Sequence, residues 1–274
     1  MVSYAQNGED ALLRRLFGER DSGFYIDVGA HDPRVDSVTK HFYDRGWRGI
    51  NIEPLPGRID AFDRERPRDS NLAVGLSDTK GMLTFHEVVG IPAHSTFDTR
   101  IAAVYSGEGA EVRQSSVEVT TLADVCTRYV TGEIDFLTMD VEGFEEQVVS
   151  GGDWEHFRPR VVVGERINPA SPVGARSAWE PLLVSHGYVE AFFDGVNAFL
   201  VREEDYSSFA PKLAAPANPV LDAYDPYVYV DQLEAAGAEI LRLRNELVRR
   251  RRRRPPTLPT LMLHRMARAL RNRP

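Results

Sequence analysis

The 274 residues include one cysteine, Cys126, so no intramolecular disulfide can form and the commonest sequence mark of an exported protein is missing. A reducing cytoplasm is the simplest expectation. No stretch reaches the roughly 18 consecutive apolar residues of a membrane-spanning helix, and the opening MVSYAQNGED lacks the basic start and apolar run of an export signal. Neither standard export nor membrane insertion is expected. Internal repeats are lacking as well, which sets aside solenoids and propellers. What remains is a chain 42% hydrophobic and 27% charged, long enough for one large core and an appendage.

The net charge of −8 hides an asymmetry. From Leu241 to Pro274 there are 12 arginines and one acid, a net +11, which leaves −19 on residues 1–240. An acidic body ends in a basic tail. Specific nucleic-acid binding by the body is disfavoured by that sign, and no interleaving of basic and aromatic residues suggests base stacking.

Short β-rich runs alternate with amphipathic ones, the pattern of a parallel sheet covered on both faces. Phe24–Val28, Gly49–Ile52, Asn71–Val74, Ile134–Met139 and Arg160–Val163 read as strands. Ser37–Arg45, Gly57–Arg66, Leu122–Tyr129, Phe144–Ser150 and Ala178–His186 read as helices between and after them. Near the end, Tyr188–Phe193 and Ala198–Val201 flank Asp-Gly-Val-Asn and predict an antiparallel hairpin. Residues 80–120 interrupt the alternation around a possible strand at Met82–Val88; an insertion beside a site and a plain surface loop are both open readings. The expected catalytic domain covers residues 1–215. Residues 216–274 form a helical, Arg-rich extension in which Leu233, Ala236, Ile240, Leu243 and Leu247 keep a 3-4 spacing. Beyond Pro255 lies a last amphipathic stretch, with Met262, Met266 and Leu270 opposite Arg265, Arg268 and Arg271.

Open α/β sheets bind ligands at the carboxyl ends of their strands, so the residues just after each strand carry the chemistry. Here they are Asp27-Val28-Gly29-Ala30-His31-Asp32, Glu53, Asp140-Val141-Glu142-Gly143 and Glu165. Glu53, at the end of the second strand, is placed to accept the two hydroxyls of a ribose. The pyrophosphate of a dinucleotide needs Gly-x-Gly-x-x-Gly, but Gly29 is followed by Ala30, His31, Asp32 and Pro33. Asp27 and Asp32 would also repel a diphosphate. A cofactor with a sulfonium and an ammonium suits these carboxylates better, which points to S-adenosylmethionine ahead of a nicotinamide.

Tyr4-x-Gln6-Asn7-Gly8-Glu9-Asp10, FYIDVGAHDPRVDSVT, GINIEP, NLAVGLSD, HSTFD, FLTMDVEGFE and FFDGVN, in this order and spacing, resemble the FkbM-type methyltransferases over about residues 3–205. The resemblance implies a class I methyltransferase fold, Rossmann-like, with a seven-stranded, mostly parallel sheet whose last strand is antiparallel. It also implies that Asp27, Gly29 and Ser37 hold the methionine part of the cofactor, Glu53 the ribose, and Ala73 and Val74 the adenine. Gln6 and Asn7 would close over it from the N-terminal segment. The acceptor class it favours is a hydroxyl of a carbohydrate or glycosylated natural product.

Methyl transfer from a sulfonium is an in-line displacement, so an enzyme must align the acceptor oxygen and take its proton. His94 is the leading base by chemistry, and Asp140 and Glu142 are the leading carboxylates. Asp140 and Glu165 end adjacent strands and could share a divalent cation such as Mg²⁺, or hydrogen-bond acceptor hydroxyls directly. Asp194 or Asn197 could edge the acceptor cleft, although their run is most economically a tight turn. Two other readings remain: a nicotinamide-dependent oxidoreductase on a similar sheet, and a silent scaffold acting through its basic tail. The apolar stripe at 233–247 predicts a homodimer or fold-back packing, with Arg249–Arg273 left for anionic surfaces.

Overall fold

The computed structural model describes residues 1–167 and 176–253. They fall into two compact units, one from Met1 to Pro226 and a second that begins at Tyr227. The first is built on a seven-stranded sheet. Its strands are β1 (Phe24–Val28), β2 (Arg48–Ile52), β3 (Ser70–Leu72), β4 (Phe136–Met139), β5 (Val161–Glu165), β6 (Tyr188–Phe193) and β7 (Asn197–Arg202). Their spatial order is β3-β2-β1-β4-β5-β7-β6, with β7 antiparallel to both neighbours and the other pairings parallel. This is the expected class I methyltransferase arrangement. The order turns around between β1 and β4, and the carboxyl ends there are the natural place for a ligand.

Both faces of the sheet are buried because successive side chains point to opposite sides. Ile26, Ile50, Leu137 and Val162 pack on one face; Tyr25, Phe136, Val161 and Phe199 pack on the other against Leu12, Phe17, Phe42 and Trp47. Trp47, Trp154 and Trp179 are core residues, each spending its indole N–H on a backbone carbonyl: Arg20, Val149 and Glu165 respectively. None of them is presented to a ligand.

Residues 75–120 are ordered structure. Gly75–Leu76, Gly81–Val88 and Val112–Thr120 form a separate three-stranded sheet, and Pro92–His94 and Thr99–Gly107 are helical. Asp98 caps the latter by accepting from the Arg100 N–H at 2.7 Å. A helix at Glu9–Phe17, not expected from the sequence, packs Leu12, Leu13, Leu16 and Phe17 into the core.

Residues 216–226, counted above with the extension, are held by the first unit. Arg15 donates to the Asp222 carboxylate and to the carbonyls of Ala215 and Pro216, while Asp225–Pro226 pairs in parallel with Val2–Ser3. The second unit contains the helix Tyr227–Arg253. The final amphipathic stretch with Met262, Met266 and Leu270 lies outside the described residues. Among the described residues no helix is long and apolar enough to cross a membrane.

Candidate active site

Two adjoining clefts open at the carboxyl ends of β1, β2, β4 and β5. The inner one is walled by Gly29, His31, Glu53, Val74 and Asp140 on one side and by Phe85, Pro92, Ser95 and Phe97 of the insertion on the other. The outer one is lined by Gln6, Glu9, Asp27, Ser37, His94, Asp140, Glu142, Glu165 and Asn197. Gly29, His31, Ala93 and Asp140 belong to both. No lysine or arginine lines either cleft among the described residues.

The turn after β1 is set by crowding. Gly29 has a φ of +77°, and a Cβ there would sit 1.9 Å from the Asp140 carbonyl oxygen, so the chains leaving β1 and β4 approach more closely than any side chain permits. His31 and Glu142, at φ +53° and +50°, also occupy left-handed conformations in the turns after β1 and β4. Left-handed backbone at non-glycine residues costs energy and recurs at functional sites.

Glu53 is buried, and its two carboxylate oxygens accept the backbone N–H of His31 and of Leu55, each at 3.1 Å. Burial pushes its carboxyl up to about 7 despite those bonds. Asp27 is buried too, accepting from Thr39 Oγ1 at 2.6 Å, and desolvation holds it above the ordinary range. Behind it stands Arg66, a fully buried guanidinium that the sequence reading missed. It donates to Thr39 Oγ1 at 2.6 Å, Ser37 Oγ at 2.7 Å and the Pro33 carbonyl, and so braces the Pro33–Thr39 loop against Asp27. Nothing in the run Arg64-Glu-Arg-Pro-Arg68 separates this arginine from its solvated neighbours.

The outer cleft gathers carboxylates. One oxygen each of Asp140, Glu145 and Glu165 lie within 4.8 Å of one another. Asp140 opens onto the cleft, and enclosure by its walls together with the charge of Asp27 holds its carboxyl above the ordinary range. Desolvation and the charges of Asp140, Glu142 and Glu145 raise Glu165, and burial with Asp140 and Glu145 alongside pushes Glu142 up to about 8. Glu145, another residue missed from the sequence, accepts the N–H groups of Val141 and Gly143 and is pushed by burial to about 7. Arg166 does not enter the cluster; its guanidinium is spent on Glu180 and Glu190. His94 stacks on Tyr105 with ring centroids 5.0 Å apart, and its Nδ1 is enclosed without a hydrogen-bond partner.

Two expected residues stand elsewhere. Ala73 faces an outer groove with Lys80 and Met82, leaving Val74 alone of that pair in the inner cleft. Asn7 is exposed, and its backbone N–H serves Glu9 Oε2 at 2.8 Å. Glu9 also accepts from the Asn197 side chain at 2.6 Å, which ties the N-terminal helix to β7 at the rim of the cleft. The Asp194 turn is built as expected: Asp194 Oδ1 accepts the N–H groups of Val196 and Asn197, and Gly195 has φ +109°.

The profile described as the Methyltransferase FkbM domain matches residues 27–207, which span β1 to the helix after β7. The chain belongs to the FkbM methyltransferase family. One curated relative, Methyltransferase sdnD of Sordaria araneosa, is 27% identical over 193 residues, covering 60% of this chain and 73% of that protein. Among solved structures, a TehB-like SAM-dependent methyltransferase from Corynebacterium glutamicum aligns with TM-score 0.38 and 10% identity over 71% of this chain and 87% of its own. The 1,6-didemethyltoxoflavin-N1-methyltransferase of Burkholderia thailandensis, solved with S-adenosylhomocysteine and 1,6-didemethyltoxoflavin, gives 0.34 and 14% over 71% and 75%. The methyl donor of this FkbM chain is S-adenosylmethionine. Its clefts fit that molecule: buried carboxylates at Asp27 and Glu53, and no lysine or arginine among the lining residues.

Proposed function

We propose that the enzyme is an O-methyltransferase acting on a hydroxyl of a carbohydrate or glycosylated natural product. The supporting observation is that a cleft with a ribose-type carboxylate, Glu53, shares Gly29 and Asp140 with a second cleft lined by Asp140, Glu142 and Glu165. S-adenosylmethionine supplies an electrophilic methyl group on a sulfonium. Glu53 accepts the ribose hydroxyls, Val74 and Phe97 flank the base, and Asp27, steadied by Thr39 and Arg66, faces the methionine end. Carboxylates accept pairs of hydroxyl donors well, so Asp140, Glu142 and Glu165 suit a polyhydroxylated acceptor. Proton removal falls to Glu142 or to His94 at Nδ1; an acid raised to about 8 is close to the pKa a base needs near neutral pH.

Incubation with S-adenosylmethionine and a panel of saccharides and glycosides, read by mass spectrometry, is expected to give an O-methyl product and S-adenosylhomocysteine. Methylation of amine acceptors alone would overturn the reading. A second reading is favoured by the proximity of Asp140, Glu145 and Glu165: a divalent cation bound there would acidify the acceptor hydroxyl. Loss of turnover in a chelator, restored by Mg²⁺, would establish it, and full turnover would leave the acids as hydroxyl partners.

A further inference from the structure

The helix Tyr227–Arg253 has 27 residues, about 40 Å of length. Tyr229, Leu233, Ala236, Ile240 and Leu243 recur along it at alternating spacings of four and three, and the large ones are wet: Leu233 is 75% exposed, Ile240 67% and Leu243 45%. In the sequence Leu247 continues the series. This is the narrow a/d seam of a coiled coil, with Leu233 and Ile240 at a, and Tyr229, Ala236 and Leu243 at d. A β-branched residue at a with leucine at d, as at Ile240 and Leu243, selects two strands in a parallel pair.

The flanking charges decide who the partner is and how it lies. Glu239 and Glu246 fall at g; Arg244 and Arg251 fall at e of the heptads that follow. Parallel, in-register helices bring each g beside the next e of the partner, so Glu239 meets Arg244, opposite in charge. Antiparallel helices set g against g and e against e, which opposes like charges. The intrahelical pair of Glu239 with Arg242 is solvent-exposed and competes weakly. An anionic membrane is a poorer match, because Asp231, Glu234 and Glu239 make the first half of the helix acidic.

We propose that this segment forms a parallel, in-register two-stranded coiled coil with a second copy of the chain. Sedimentation of the full-length protein between about 1 and 100 μM should show a monomer–dimer equilibrium, and Ile240→Asp with Leu243→Asp should weaken it at least about tenfold by placing carboxylates in the seam. Because these residues are exposed, the catalytic unit of that variant should keep its melting temperature. Orientation is read by disulfide formation: Ala236→Cys and Leu243→Cys, each tested singly, should cross-link to themselves, with the native Cys126 buried and out of reach. Monomeric mass at every concentration would overturn the proposal, as would a mixed disulfide between Ile240→Cys and Leu243→Cys chains with neither cross-linking to itself, the antiparallel result. Binding of a monomeric chain to anionic phospholipid vesicles would overturn it as well.

Discussion

Glu53 shows how a single residue can be read from sequence and still acquire its properties only in the fold. An acid ending the second strand is visible in GINIEP; that both its oxygens already hold backbone N–H groups, and that burial carries it to about 7, is not. The bonds fix the carboxylate while each oxygen keeps lone-pair capacity for a ribose hydroxyl. Glu53→Ala should therefore weaken S-adenosylhomocysteine binding by about 1–3 kcal/mol, the range for losing hydrogen bonds to a charged group. Calorimetry on the folded variant decides it: unchanged affinity would remove the ribose assignment. Asp140→Asn and Glu142→Gln address the acceptor side. Each should lower kcat at least about tenfold while cofactor affinity stays within about twofold, because the interaction lost belongs to the transition state. Near-normal turnover in both would place the reacting oxygen elsewhere. Asp27, Asp140, Glu142 and Glu165 were legible because strand ends are predictable positions. Arg66 and Glu145 were not, since a guanidinium and a carboxylate on amphipathic helical runs look solvated until tertiary packing buries them.

At the scale of elements, the sequence revealed the sheet and five of the helices that cover it, but not the helix Glu9–Phe17 or the pairing within the insertion. The seven strands emerge because short, continuous apolar runs fit strands of a sheet buried on both faces. The helix Glu9–Phe17 escaped notice because its N-cap is Gly8, at φ +79°, which offers no side-chain cap of the Ser/Thr/Asp kind. Val112–Thr120 reads VRQSSVEVT, too polar to stand out, yet it pairs with Gly81–Val88 along its whole length from Val112↔Val88 to Val119↔Gly81. Pairing of this sort joins residues some thirty positions apart and is invisible in a local window. What the insertion adds is a wall: Phe97 packs against Phe85 at 4.8 Å and Phe144 at 5.3 Å, and a Cβ on Gly75 would lie 2.6 Å from its ring. Phe97→Ala should cost about 3 kcal/mol or less, below the full-core range because the ring is only half-buried, and it should reduce cofactor affinity as well. A fall in melting temperature with unaltered S-adenosylhomocysteine affinity would make the wall structural only.

Over the whole molecule the governing quantity is charge. Residues 1–240 carry −19, and part of it is drawn into the interior at the cofactor end of the sheet. Burial raises Glu9 to about 8, Asp10 to about 6 and Glu53 to about 7. Each of these acids holds its proton more tightly folded than unfolded, so the native state binds more protons across the window between the ordinary carboxylate range and about pH 8. Stability must then fall as pH rises through that window, the reverse of a chain whose acids sit in salt bridges. His41 works from the other side: burial and the neighbouring Arg14 and Arg45 lower it to about 4, so protonation favours unfolding below its ordinary value of 6.5. Above pH 6.5 the histidine is neutral in both states and Asp10 is largely ionised in both, so Glu9 and Glu53 set the sign. The melting temperature should therefore be lower at pH 8.5 than at pH 6.5, and Glu9→Gln, which keeps the bonding shape without the charge, should flatten the slope. A bound cofactor stabilises the native state in proportion to its affinity, and Glu53 must be ionised to accept both ribose hydroxyls. S-adenosylhomocysteine should consequently raise the melting temperature more at pH 8.5 than at pH 6.5. Scanning calorimetry across that range tests both signs: stability rising with pH in the free protein would mean that these carboxyls are ionised in the fold, and the account of an acidic cleft awaiting a cationic ligand would be wrong.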